Sequence, residues 1–190
     1  MRLDKLLAHI GLGSRKEVKQ LIRKGYVEVN GQIVKKDDIQ VNENEDEIIV
    51  DGQKVEYQKN IYLMLNKPAG YVSATYDKVQ PTVLDLVDEY NSYHLFPVGR
   101  LDIDTVGLML LTNDGNLAHQ ILSPKKHISK VYYAKIEGTV TDADIQSFKN
   151  GLDLGDFKTL PAFLKIISIQ GNESEVEIEI FERKKKSCMQ

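Results

Sequence analysis

Most apolar residues of this 190-residue chain fall in runs of strand length, and helical spacing is confined to four short stretches. That pattern constrains the fold more than any other feature. Runs of strand character cover Ile61 to Leu65, Tyr71 to Thr75, Leu95 to Val98, Gly107 to Leu111, Val131 to Ile136, Phe163 to Ile169 and Val176 to Phe181. Turn signals separate them, notably Asn66-Lys67-Pro68-Ala69-Gly70 and Asn113-Asp114-Gly115. Leu117, Ile121 and Leu122 line one side of a helix that Pro124 closes, and Thr141 with Asp144, Ile145, Phe148 and Gly151 describes a capped one. Strands with few helices and no regular βαβ alternation predict an α+β fold built on a largely antiparallel sheet. No segment has the length needed to span a bilayer.

The other two helical stretches open the chain. Leu3, Leu6, Leu7 and Ile10 recur at helical spacing, and Gly11 and Gly13 end the stripe. Ser14 with Glu17 three residues on is a capping box, Val18, Leu21 and Ile22 form the buried stripe behind it, and Gly25 stops the helix. Arg15, Lys19 and Arg23 fall on a different face, with Lys16 beside them. Four cations lined up on one side of a helix suit a phosphate backbone, because each contact releases counterions. For any one of them, plain solubility is the simpler reading. Val27 to Val34 alternates around Asn30-Gly31, a hairpin signal, since both turn residues must accept positive φ. Ile48-Ile49-Val50 followed by Asp51-Gly52 supplies a further strand and turn, and the polar residues from Asp51 to Asn60 read as a linker.

Net charge is −3, which by itself argues weakly against a nucleic-acid partner. The arrangement says more: the first 36 residues are basic, and an acidic strip from Asp37 to Glu56 follows. Cys188 is the single cysteine, so no disulfide forms within the chain, in keeping with a reducing compartment. Arg2, Asp4, Lys5 and His9 interrupt the N-terminal apolar residues, unlike a signal peptide, and a cytoplasmic monomer is expected. His9, His94, His119 and His127 lack paired ligand spacing, so no metal site is expected.

Residues 1–57 resemble the S4-type RNA-binding domain, through Arg2-Leu3-Asp4-Lys5-Leu6-Leu7, Ser14-Arg15 and Gly25-Tyr26-Val27-Glu28-Val29-Asn30-Gly31. The resemblance implies RNA binding through Arg2, Lys5, Arg15, Lys16, Lys19 and Arg23. The larger part, residues 61–190, resembles RsuA-type ribosomal RNA pseudouridine synthases. The carrying motifs are Leu65-Asn66-Lys67-Pro68-Ala69-Gly70, Gly99-Arg100-Leu101-Asp102-Ile103-Asp104-Thr105-Val106-Gly107-Leu108, Leu110 to His119 with Leu122-Ser123-Pro124, and Lys130-Val131-Tyr132-Tyr133, in the family's order. Val106 stands where a polar residue is more usual.

The resemblance implies isomerisation of a specific uridine to pseudouridine in ribosomal RNA, with the small-subunit 16S RNA as the expected target and no cofactor. It makes Asp102 the catalytic nucleophile, which suits a side chain ionised at neutral pH. Tyr132 would stack on the target uracil, against the plainer reading of a core strand tyrosine. Arg100 would fill the gap left by the flipped-out nucleotide. Lys67 would hold RNA phosphate or help build the pocket floor, against the plainer reading of a charge decorating a turn. If Gly99 to Asp102 is extended, Arg100 and Asp102 project to one side while Leu101 anchors the other. After Phe181 the sequence departs from the family: Glu182 to Gln190 replaces a segment expected to carry the basic partner of the carboxylate, so the C-terminal part reads as missing or aberrant. Arg183 or Lys184 would be the substitutes. The alternatives are a non-catalytic or impaired RNA-binding protein of the same fold, and a synthase acting on large-subunit RNA.

Overall fold

A computed structural model of the chain describes residues 1–123, 126–155 and 157–181. The residues form two compact units, Met1–Ala118 and His119 onward. Mixed helix and antiparallel sheet makes this the expected α+β fold. Pro124, Lys125, Asp156 and residues 182–190, with Arg183 and Lys184 among them, lie outside the described residues.

Within the first unit, residues 1–57 form a layer of two helices on a small sheet. Helix α1 (Leu3–His9) and helix α2 (Arg15–Lys24) bury Leu3, Leu6, Leu7, Val18 and Ile22 against Val27, Ile48 and Val50. The capping box is present: the Glu17 amide donates to Ser14 Oγ, and the Ser14 amide and hydroxyl donate to Glu17 Oε2. Gly25 ends α2 at φ 82°, where a side chain would be strained. The sheet has the order β2-β1-β3-β4, with β1 at Val27–Val29, β2 at Gln32–Ile33, β3 at Ile48–Val50 and β4 at Gln53–Val55. Strand β4 occupies the start of the stretch expected to be linker, because Asp51-Gly52 makes a turn tight enough to bring Gln53 back onto Val50.

The rest of this unit is built on a second antiparallel sheet, β5-β7-β6, formed by Tyr62–Lys67, Gly107–Thr112 and Phe96–Pro97. Its inner face packs Leu63, Leu65, Met109 and Leu111 with Val83 and Leu95. Strand β5 runs through Asn66 and Lys67, so the expected turn begins only at Pro68. Tyr71 to Thr75 is not a strand. Only Val72 pairs there, by a parallel bridge to Thr82, and the chain then enters two 3-10 helices, Val83–Leu86 and Asp88–Tyr93, which the apolar pattern did not announce. The Thr112-Asn113-Asp114 corner ties strand to strand and starts a helix. Thr112 donates to the Ile61 carbonyl, Asn113 Oδ1 accepts from the Ile61 amide, and Asp114 Oδ1 accepts from the amides of Asn116 and Leu117 at the head of α3 (Gly115–Leu122).

The two parts of the first unit meet at an aromatic cluster. The His9 ring lies 5.6 Å from that of Tyr57 and 5.4 Å, edge-on, from that of Tyr93. Its Nε2 is buried without a hydrogen-bond partner among the described residues. Burial, with the nearby charges of His94 and Lys5, holds the His9 imidazole below its ordinary pKa. Gly11 packs so closely on Ser92 that an added Cβ would stand 2.9 Å from its hydroxyl.

The second unit is a three-stranded antiparallel sheet, β8-β10-β9, made of Lys130–Glu137, Glu173–Ile180 and Phe163–Gln170. Helix α4 (Asp142–Asn150) covers its inner face with Ile145 and Phe148 against Ala134, Ile136, Leu164, Val176 and Ile178. The Thr141–Asp144 capping box opens α4 as the sequence predicts. The outer face of β10 carries Glu173, Glu175, Glu177 and Glu179 at alternate positions, opposite Glu137, Lys135, Tyr133 and Val131 of β8.

Candidate active site

Antiparallel pairing sets Lys67, the last residue of β5, opposite Gly107, the first of β7. The segment from Gly99 to Val106 therefore arrives beside the end of β5 before entering β7. It has no helix or strand of its own, so its backbone groups need partners from elsewhere. Two buried side chains supply most of them.

Lys67 is fully buried. Its ammonium donates to the carbonyls of Thr105 (2.7 Å), Asp102 (3.0 Å), Ile103 (3.1 Å) and Pro68 (3.2 Å). An ammonium has three N–H bonds, so the four contacts include a shared one. Burial pushes its pKa down, and the negative charges of Asp104 and Asp102 push it back up. Gly70 donates a further bond, 2.7 Å, to the Ile103 carbonyl. Ser73, nearly buried, holds the residue before the aspartate from both sides: its hydroxyl accepts from the Leu101 amide at 3.0 Å and donates to the Leu101 carbonyl at 2.7 Å. Leu101 itself packs on the core of the sheet, the anchoring role the sequence gives it. Arg100, Asp102 and Asp104 remain exposed.

A lysine so enclosed is not available to phosphate. Reaching solvent would take the ammonium from four carbonyls and leave those of Thr105 and Pro68 with no donor among the described residues, and an unsatisfied buried polar group costs about 1–3 kcal/mol. Full burial speaks against a phosphate-holding Lys67 and against a charge that decorates a turn, and it is compatible with the other expectation, a residue that helps build the pocket floor. Lys67 belongs to a strand and organises the loop that carries Asp102.

The cations of residues 1–57 divide in two. Arg2 grips the buried Asp4 with Nε at 2.9 Å and Nη2 at 3.0 Å, and the Lys19 ammonium stands 3.7 Å from the same carboxylate. Burial alone would raise the Asp4 pKa, but the Arg2 hydrogen bonds and the charges of Arg2 and Lys19 outweigh it and hold the carboxyl below its ordinary value. Arg23 pairs with Asp37 at 2.8 Å. Lys5, Arg15 and Lys16 are exposed and have no ion-pair partner among the described residues. Tyr132 lies in the second unit on β8, half-buried on the core face with Ile178 as its cross-strand neighbour. Among the described residues no cluster of His, Cys, Asp or Glu has the makings of a metal site, and no helix is long and apolar enough to cross a membrane.

Comparison with known proteins decides the family. Residues 61–187 match the RNA pseudouridylate synthase family and residues 1–49 match the S4 domain. This chain belongs to the RNA pseudouridylate synthase family. It is an RNA pseudouridine synthase with an S4 domain, and the match carries past Phe181, where the sequence reading ended the resemblance. The uncharacterized RNA pseudouridine synthase YtzG of Bacillus subtilis is 44% identical over 186 residues, covering 97% of this chain and 78% of the relative. The ribosomal large subunit pseudouridine synthase B of the same organism is 38% identical, covering 94% and 73%. The ribosomal small subunit pseudouridine synthase A of Escherichia coli K12 is 40% identical, covering 88% and 74%. A crystal structure of a pseudouridylate synthase superposes with a TM-score of 0.59 at 34% identity, covering 97% of this chain and 78% of that one.

In this synthase the sequence motifs prove to be of two kinds. Thr112, Asn113 and Asp114 serve strand pairing and a helix start, whereas Lys67 and Ser73 serve the Asp102 loop. Sequence reasoning missed Ser73. A lone serine in an apolar run carries no signal, since its partner is the backbone of a residue 28 positions away.

Proposed function

We propose that this synthase converts a specific uridine of ribosomal RNA to pseudouridine, with Asp102 as the nucleophile. The observation that carries the reading is an exposed carboxylate on a segment whose backbone is held by Lys67, Ser73 and Gly70. A side chain fixed from behind and free in front can meet a flipped-out nucleotide without first being ordered, and such ordering is a large part of an enzymatic barrier. Covalent attack by Asp102 on the uridine lets the C1′–N1 bond break. The uracil turns, a C1′–C5 bond forms, the bond between Asp102 and the substrate breaks to return the carboxylate, the C5 proton leaves and N1 ends protonated. Arg100, exposed two residues before, occupies the space the nucleotide vacates, and Tyr132 stacks on the uracil. Residues 1–57 act as the RNA-binding domain through Lys5, Arg15 and Lys16, with Arg2, Lys19 and Arg23 shared between RNA and their own carboxylates. Residues from 61 onward act as the catalytic domain.

Small-subunit 16S RNA is the proposed target. Large-subunit RNA is the second reading, favoured by the relative of that specificity at 38% identity over 94% of this chain. The test is tritium release from ribosomal RNA labelled at uridine C5, with each subunit's RNA supplied separately. Release from 16S RNA alone is expected, and Asp102→Asn lowers it by roughly a thousandfold or more, the scale of losing a nucleophile. Release from 23S RNA alone would move the target to the large subunit. Turnover surviving in Asp102→Asn would remove Asp102 from the mechanism.

A further inference from the structure

We propose that Ser73 is a positioning residue for the reaction, setting the backbone from which Asp102 projects. The inference rests on reading Asp102 as the nucleophile.

Three observations carry it. First, one hydroxyl satisfies both backbone groups of Leu101, accepting from its amide and donating to its carbonyl. Two bonds from one oxygen fix the peptide planes on either side of Leu101, and the second of those planes leads directly into Asp102. Second, Ser73 is itself held. The neighbouring Val72 amide donates to the Pro81 carbonyl at 2.9 Å, and the Val83 amide donates to the Val72 carbonyl at 3.0 Å. The clamp therefore stands on fixed backbone and is not carried by a free turn. Third, the remaining loop bonds fall after Leu101: Lys67 and Gly70 take the carbonyls of residues 102, 103 and 105. Ser73 is thus the only side chain among the described residues hydrogen-bonded to the backbone ahead of the aspartate within the loop. Lys67 holds the far side, Ser73 the near side, and the Asp102 carboxylate projects from the hinge between them.

Removing the near clamp leaves the loop attached but lets the Leu101–Asp102 peptide rotate. A misplacement of about 1 Å at a reacting group costs on the order of a hundredfold in rate. RNA affinity should not move, because Ser73 is nearly buried and faces backbone.

The test is single-turnover tritium release from ribosomal RNA, run beside equilibrium RNA binding, for Ser73→Ala, Ser73→Thr and Asp102→Asn. Ser73→Ala should lower the single-turnover rate about ten- to hundredfold and leave the RNA Kd within about twofold. Ser73→Thr keeps the hydroxyl and should recover most of the rate. Amide hydrogen exchange supplies a readout free of activity: Ser73→Ala should speed exchange at Leu101 while leaving Met109 and Leu111 of β7 protected. A Ser73→Ala enzyme that reacts at the unmodified rate overturns the proposal. So does a rate that falls only in proportion to the folded fraction, with Leu101 still protected. An active Asp102→Asn would instead remove the nucleophile reading and this inference with it. An inactive Asp102→Asn beside a fully active Ser73→Ala sinks the inference alone.

Discussion

The first 57 residues and the Asp102 segment solve opposite problems. In the former, local signals build regular elements, and charged side chains decorate them: Arg2 and Lys19 reach the buried Asp4 from partly exposed positions, and the exposed Arg23 pairs with Asp37. In the latter there is no regular element, and a charged side chain is the scaffold: Lys67 lies beneath the loop and bonds four carbonyls. The same residue type therefore carries unlike consequences. An exposed ion pair is worth roughly 0–1 kcal/mol, whereas a buried ammonium that serves several backbone groups cannot be removed without leaving some of them bare. Charge alone does not say which cations matter. Depth does.

Breaking that contrast at its strongest point means replacing Lys67. Lys67→Met fits the apolar stem but takes the ammonium from four carbonyls, leaving those of Thr105 and Pro68 with no donor among the described residues and those of Asp102 and Ile103 with one backbone amide each. A stability loss of about 3 kcal/mol is expected, read as a lowered midpoint in urea unfolding, together with near-complete loss of turnover in the fraction still folded. Full activity in Lys67→Met would mean that the loop does not depend on its scaffold.

The surface cations should behave in the other way. Replacing Arg15 and Lys16 together with alanine should leave the urea midpoint unchanged and weaken RNA binding. The slope of log K against log salt should fall by about 1 to 2, one unit per lost phosphate contact. A similar loss from Arg23→Ala, whose guanidinium already serves Asp37, would show that pairing does not keep a cation from RNA.

The smallest effect belongs to the His9 junction. Its imidazole is held below the ordinary 6.5 in the folded chain, mainly by burial. Between the folded and unfolded pKa values the unfolded state binds the extra proton. The contribution of neutral His9 is therefore full above about pH 7 and is lost as pH falls through 6.5 toward the folded value. Tm measured from pH 7.5 to 5 should decline less steeply in His9→Phe than in the unmodified protein. Parallel curves would show that His9 titrates normally.

Much of the fold was legible because it rests on neighbours in sequence. Both capping boxes, the Asn30-Gly31 hairpin and the alternation of β8, β9 and β10 are short-range patterns with a single physical reading. Tyr71 to Thr75 failed as a strand for the complementary reason. Its composition suits a sheet, but Pro81 and Thr82 offer Val72 a single bridge and then turn into a 3-10 helix. At the candidate site, Asp102 was legible through its motif alone. Lys67 is marked out by its motif, but nothing in Asn-Lys-Pro reveals that the side chain points inward. Ser73 was invisible, because its partner Leu101 lies 28 residues away on the loop that follows β6.

The row of glutamates on the outer face of β10 gives the second unit a wrong side. Among the described residues, five carboxylates, counting Glu137, share that face with the ammoniums of Lys135 and Lys165, each already committed to a glutamate. A phosphate backbone drifting toward it meets surplus negative charge, and repulsion of like charge costs an encounter more than a missing contact does. These described charges repel a polyanion at a distance, before any shape is read. One surface of this synthase's sheet thus carries a charge that disfavours the approach of a polyanion.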